Sequence, residues 1–314
     1  MNSRERVKVT FAGGVPDRVP INYLSNAGLD GRLKKHFSLT ENDDEGLRRA
    51  LNVDFRWINP PYIGPKKHAD IPERGIKVDH WGVRRKWIEH SSGGYWDYCE
   101  YPLEHATEEE VAAWPLPNPD EFNYDVVDEL FKKFDGYAIG VGHAGIADVM
   151  NSCGMVRTME QVYVDLALDE PAGLLLAKRR TEIQLEWLRR TLEKGNGRFD
   201  FVWMGEDMGT QTGPLISMDI YRKHLKPIHQ KFIDLAKSFN LPVMIHTCGS
   251  SSWVYNELIE MGVSVFDTLQ PEAVNMAPEY LKKTFGGRAA FHGCISTAGP
   301  VAYGTPEETV EYCK

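Results

Sequence analysis

A (β/α)8 TIM barrel of the α/β class, with an added β-hairpin in its N-terminal third and its last βα unit lacking, is the architecture this sequence predicts. Three observations predict it. Beyond Asn123 short apolar runs alternate with helical segments, the pattern of βαβ units on a parallel sheet. About seven strand candidates can be counted along the 314 residues. No Gly-x-Gly-x-x-Gly follows an early strand and no P-loop sequence is present, which disfavours an open nucleotide-binding sheet.

The elements follow in order. Residues 3–13 read as a short helix with Ser3 as its cap and Gly13-Gly14 ending it. Pro16-Asp17 turns the chain into a first strand over 19–24. Polar helical patterns fill 30–51, and 53–58 is a second strand. From 75 to 103 apolar and polar residues alternate around Ser91-Ser-Gly-Gly94, a hairpin signal with a four-residue turn, rich in Trp and Tyr. Those aromatics either pack the hairpin onto the main body or form a lid or dimer contact. Thr107 with Glu110 has capping-box form, and Pro115, Pro117 and Pro119 make 115–123 a stiff connector. Helices at 124–134, 171–194, 217–239, 253–261 and 276–284 then alternate with strands at 137–141, 199–204, 242–245, 263–267 and 289–291, and a last helix starts at Thr305. No eighth strand follows. Either one strand escapes notice or the polypeptide is a piece of a longer one. The chain reads as a single barrel domain over 1–314, with the hairpin as an insertion. An unclosed sheet would offer an edge to a second copy.

Composition narrows the function. With 42% hydrophobic and 26% charged residues the chain is of ordinary globular type. A net charge of −9 without a basic patch argues against nucleic acid or an anionic membrane as partner. The N-terminus lacks a signal-peptide core and no stretch approaches a membrane span. Five scattered cysteines suit a reducing, cytoplasmic setting.

Chemistry in such a barrel gathers at the C-terminal ends of the strands. After 137–141 comes His143. After 199–204 come Glu206, Asp207 and Gln211. After 242–245 come His246 and Cys248, after 263–267 Asp267 and Gln270, and after 289–291 His292 and Cys294. Five successive strand ends carry acids, imidazoles, amides or thiols beside small residues, which predicts one site. In a strand, residues two apart share a face, so His246 and Cys248 offer a zinc site half its ligands. His-x-Cys alone says little, since a buried histidine beside an inert cysteine has the same spacing.

Several blocks resemble the uroporphyrinogen decarboxylase superfamily: NSRERV…PDRVPI, MEQVYVDLALDEP, GEDMGTQTGPLISMDIYRKHLKPIHQKFIDLAK, HTCGSS and FHGCIST…YGTPEETV. They cover nearly the whole chain in order. The resemblance implies a barrel with its site at the C-terminal face, and one of two activities. Decarboxylases of that superfamily carry an arginine-rich segment after the first strand. Here it reads LSNAGLDGRL with Arg32 alone, which disfavours a carboxy-lyase that grips an anionic tetrapyrrole. The methyltransferase branch is more similar, through His246 and Cys248. That branch implies zinc activating a thiol or similar acceptor, a corrinoid protein as partner, and a third ligand from a later strand, with Cys294 the internal candidate. It also implies that Glu206 and Asp207 orient substrate or take its proton, while His143, Gln211, Asp267, Gln270 and His292 bind substrate. A non-catalytic barrel that binds a corrinoid protein or small ligand is the remaining alternative.

Overall fold

The structure, a computed structural model, describes residues 1–90, 93–296 and 298–314. Strand β1 (Phe55–Trp57) comes first, then β2 (Ile76–Val78), β3 (Arg84–His90) and β4 (Gly93–Glu100). Strands β5 (Ala138–Gly142), β6 (Phe201–Gly205), β7 (Val243–His246), β8 (Val263–Leu269) and β9 (Ala290–Gly293) follow. β1, β5, β6, β7, β8 and β9 pair in that order as one parallel sheet, and β2–β3–β4 form a separate antiparallel one.

The parallel sheet is curled. Phe55 on β1 and His292 on β9 belong to opposite edges, yet their ring centroids lie 5.6 Å apart. Five strand spacings of about 4.8 Å would hold them about 24 Å apart in a flat sheet. The alternation of side chains sends Phe55, Ala138, Phe201, Trp203, Met244 and Val265 to the concave side, where they form one buried cluster with Trp57 and Ala290 against it. Gly140 belongs to that stripe as well. A Cβ there would fall 2.5 Å from both Phe201 and Trp57, so the aromatic filling excludes any larger residue. The convex side is covered by helices, among them the 25-residue helix Pro171–Gly195, over a second and larger apolar cluster.

Helix Ser3–Phe11 closes the N-terminal end of the sheet. It is capped by Asn2, in a capping box with Glu5, rather than by Ser3. Val7 and Phe11 join the concave cluster, and Arg4 bonds Asp200, which also accepts the Ile139 N–H at the start of the strands.

The expected strand at 19–24 is not formed. The segment lies beside β1, with the Asp54 N–H donating to the Ile21 carbonyl at 2.8 Å, but Pro20 has no N–H to extend a ladder. Val19 and Leu24 are exposed, so no apolar contact compensates. The parallel sheet therefore has six strands among the described residues, a partial barrel open to hydrogen bonding between β1 and β9. The hairpin forms within the expected 75–103, its two strands running up to His90 and Gly93, with β2 added beside β3. Of the expected four-residue turn Ser91–Gly94, Gly93 and Gly94 belong to β4, and Ser91 and Ser92 lie outside the described residues. Helix 217–239 is interrupted by a π turn at Tyr221–Leu225, where Pro227 withholds the N–H that the Lys223 carbonyl would take.

Asp54 ties the early chain to β1. Its buried carboxylate accepts from Arg6 (2.7 Å), from two nitrogens of Arg18 (2.7 and 2.9 Å), and from the Ile21 N–H (2.8 Å). Burial opposes its ionisation, but Arg18 and the Ile21 N–H outweigh it and hold the pKa below the usual range. A depressed carboxylate contributes its full stability above the unfolded value of about 4 and loses it as pH falls through the folded value. Asp54→Asn should cost about 3 kcal/mol at pH 7 in urea unfolding. The gap to wild type should narrow below pH 4; a gap that stays constant down to pH 2 would rule out this linkage.

Candidate functional site

The site is assembled by two loops that cross in backbone contact. One follows β6 and the other follows β7. Gly249 has φ +69°, and a Cβ on it would lie 2.1 Å from the Gly209 carbonyl oxygen, so only glycine allows the crossing. The Ser250 N–H donates to the Thr210 carbonyl at 2.7 Å, and the Met208 N–H to Thr247 Oγ1 at 3.2 Å. The crossing sets Asp207 beside Cys248, whose N–H donates to Asp207 Oδ1 at 2.8 Å. Asn151 Nδ2 holds the other oxygen at 3.0 Å.

Strand register supplies the rest. His246 pairs with Gly205 on one side and Asp267 on the other, so their side chains share one level. Asp267 is 2% exposed and meets His246 Nδ1 at 3.3 Å and His292 Nδ1 at 2.5 Å. A carboxylate only accepts, so His246 Nδ1 carries the hydrogen and Nε2 is left to ligate. Nε2 lies 3.5 Å from Cys248 Sγ and 3.5 Å from Asp207 Oδ1. Ligand atoms of all three residues fall within 4.8 Å of one another. Tetrahedral zinc with ordinary bond lengths separates N from S by about 3.6 Å and N from O by about 3.4 Å. The donor set and its spacing fit a metal ion.

The electrostatics agree with that fit. Burial, with Asp207 beside it, pushes the Cys248 thiol up to about 12. Burial disfavours a charged His246, but Asp267 and Asp207 outweigh it and raise its pKa. The same imidazole bonds hold Asp267, against burial, far below the carboxylate range. Protons occupy Cys248 and compete for His246 until a cation displaces them.

A cavity of about 500 Å³ opens onto Asp207 and His246. His143 stands in it, exposed toward the open space but enclosed by protein, and burial lowers its pKa to about 4. Of the other expected site residues, Asp267 and His292 stand behind His246 rather than on the cavity wall. Gln270 accepts the Gly249 N–H at 2.6 Å and so fixes the loop. Gln211 is exposed, and its backbone carbonyl takes the Val274 N–H. Glu206 is not on the wall either. It is 1% exposed and accepts the N–H groups of Val149 and Met150 at 2.8 and 3.0 Å, at the start of helix Met150–Arg157. Burial raises its pKa to about 7 although those bonds oppose it. Cys294 does not join the ligand group. It packs on the helix-covered side of the sheet, and the third donor grouped with His246 and Cys248 is Asp207.

Sequence reasoning missed the cavity's other walls. Asp79, Trp81, Arg85 and Tyr98 of the hairpin region roof it, and Asn151, Met155, Met159 and Arg180 close its side. Arg180 had a signal: it lies on the buried stripe of its helix with Leu176, Ala177, Gln184 and Trp187. A charged residue on an apolar stripe marks a partner or a site. The hairpin's Trp and Tyr content allowed a lid, but alternation does not tell which face meets a cavity.

Comparison with protein-family models gives no match, and comparison with curated proteins gives none.

If the three donors act together, metal analysis of the zinc-equilibrated chain should find about one equivalent. Cys248→Ala and Asp207→Asn should abolish it, and Asp267→Asn should weaken affinity about 10- to 100-fold. Cys294→Ala should leave it unchanged, and its loss there would refute the ligand assignment. Because Cys248 must lose its proton, affinity should rise about tenfold per pH unit from pH 7 to 9.

Proposed function

We propose that this chain is a methyltransferase of the uroporphyrinogen decarboxylase superfamily, moving a methyl group between a corrinoid protein and a small substrate. The observation that carries the reading is the Asp207–His246–Cys248 group, with Asp267 behind His246, at the C-terminal ends of parallel strands. In this reading the curled sheet is the larger part of a (β/α)8 barrel, and zinc is the metal. Zinc, when bound, holds a thiol or similar acceptor as an anion at neutral pH and so makes it a nucleophile.

The chain's residues do the remaining work. Asp267 keeps His246 in the tautomer and direction that leave Nε2 free. Asn151 and the Cys248 N–H hold Asp207 in place. His143 Nδ1 accepts the Gly145 N–H at 3.1 Å, so the neutral ring has its Nε2–H to offer a substrate. Trp81, Arg85 and Tyr98 cover the cavity and limit water. The face of the hairpin that carries Arg85 and Tyr98 continues to Trp87 and Trp96, whose rings pair at 5.7 Å and are 41% and 40% exposed. An aromatic overhang beside the mouth suits a docking partner. The partner would bring the corrinoid in line with the acceptor. Five free cysteines and the lack, among the described residues, of any helix long and apolar enough to cross a membrane fit a cytoplasmic setting.

Arg32, the one arginine in the segment that decarboxylases use for substrate, is exposed and does not line the cavity. That observation keeps methyl transfer ahead of decarboxylation.

The test uses free methylcobalamin as donor and 2-mercaptoethanol as acceptor, followed by the corrinoid absorbance. The zinc-loaded chain should demethylate it, and Cys248→Ala or Asp207→Asn should slow the reaction by more than about a hundredfold. A zinc-loaded chain that leaves the methylcobalamin spectrum unchanged would sink the proposal.

A further inference from the structure

Among the described residues, the buried arginines Arg6, Arg56 and Arg157 are paired with acids, and Arg180 is not. Arg56 bonds Glu45 and the carbonyls of Val53 and Phe55. Arg157 bonds both oxygens of Asp165 and the Leu103 carbonyl. Arg6 bonds Asp17 and Asp54. Arg180 is 4% exposed, and its Nε and Nη1 are fully buried without a hydrogen-bond partner. Its guanidinium lies over the face of Trp81, 4.5 Å from the guanidinium carbon to the ring centroid. Leaving a buried charge unpaired costs several kcal/mol, and such groups are rare enough to call for a cause.

Arg180 is part of the cavity wall, so a ligand there lies beside this charge. The acids nearby are already engaged. Asp79 accepts the N–H groups of Trp81 and Val83 and pairs with Arg85 at 2.5 Å. Asp148 takes the Asn151 N–H and the Ser152 hydroxyl. Asp207 is held by Asn151 and Cys248. Of the two arginines on the wall, Arg85 has an acid bonded to it and Arg180 has none, which suits a single carboxylate as its partner. A dianion such as phosphate would add a second negative charge facing Asp79 and Asp207. Trp81, Tyr98, Met155 and Met159 supply apolar wall between the two ends.

We infer that the cavity takes a small organic monocarboxylate, with its carboxylate on Arg180 and its apolar body toward the Asp207–His246–Cys248 group. This names the substrate class for the site proposed above and rests on that site being the reaction centre. Trp81 holds the guanidinium flat and ready, so little side-chain freedom is lost on binding.

Calorimetric titration of the full chain tests it, in chloride-free buffer with no methyl donor. The probes are benzoate and hexanoate, each against its neutral amide. At least one acid should bind, and its amide at least about tenfold more weakly. Arg180→Gln should lower the acid's affinity by about tenfold or more, and Arg180→Lys should restore part of it. Amides that bind as well as the acids, acids that bind Arg180→Gln as well as wild type, or neither acid binding would each overturn the inference. Where a variant fails to fold, the comparison of acid with amide on the unaltered chain decides alone. Methyl transfer is absent from this readout. Failure here therefore leaves the methyltransferase reading standing, and failure of methyl transfer leaves the binding result intact.

Discussion

The buried carboxylate of Asp267 is the interaction on which the site depends. It lies on β8, one strand over from His246, and bridges two imidazoles from the strands on either side. A lone carboxylate at 2% exposure would take up a proton. The two ring N–H groups reverse that preference and keep it ionised. In return it fixes which nitrogen of His246 faces outward. Without it the imidazole could turn, and the separations among His246, Cys248 and Asp207 would lose their meaning.

That carboxylate can be buried because of what lies beneath it. Along β7, β8 and β9 the concave side runs from apolar to polar. Met244 precedes His246, Val265 precedes Asp267, and Ala290 precedes His292, two residues apart in every case. Phe55, Phe201 and Trp203 fill the lower space with aromatic volume, and helix Ser3–Phe11 seals its far end. The packed interior holds the polar level rigidly, while the crossing of the loops at Gly209 and Gly249 brings in Asp207 from the next strand. Precision comes from strands and a backbone contact, not from long flexible side chains.

Much of the sheet was legible because buried parallel strands are short apolar runs between helices. The runs at 137–141, 199–204, 242–245, 263–267 and 289–291 became β5 to β9 within a residue or two. The run at 19–24 misled, since strand-like composition does not provide a ladder partner and Pro20 removes a donor. At the site, placement after strand ends brought His143, Asp207, His246 and Cys248 to light but could not rank them. Glu206 and Asp207 are adjacent and alternate in direction, so one is buried under a helix start and the other reaches the ligand group. Cys294 follows a strand end as Cys248 does, yet it packs against the outer core. Composition and spacing do not encode that choice of face. Arg180 and the hairpin wall lie far from His246 in sequence, and only tertiary packing unites them.

The arrangement divides labour between unlike parts of the fold. The candidate ligand atoms come from the ends of β6 and β7, where parallel pairing on both sides fixes them. The roof comes from an antiparallel sheet that does not pair with the parallel one, and the unpaired guanidinium comes from the convex helix layer. Reactive groups need the stiffest support, since small displacements there cost rate steeply. Recognition tolerates more variation, and a hairpin and a helix face can change without disturbing strand register. Hydrogen bonding is divided in the same way. The acids about the cavity accept from backbone and side-chain donors, whereas two nitrogens of Arg180 have no partner, and Arg180 is on the wall that β6 and β7 do not build.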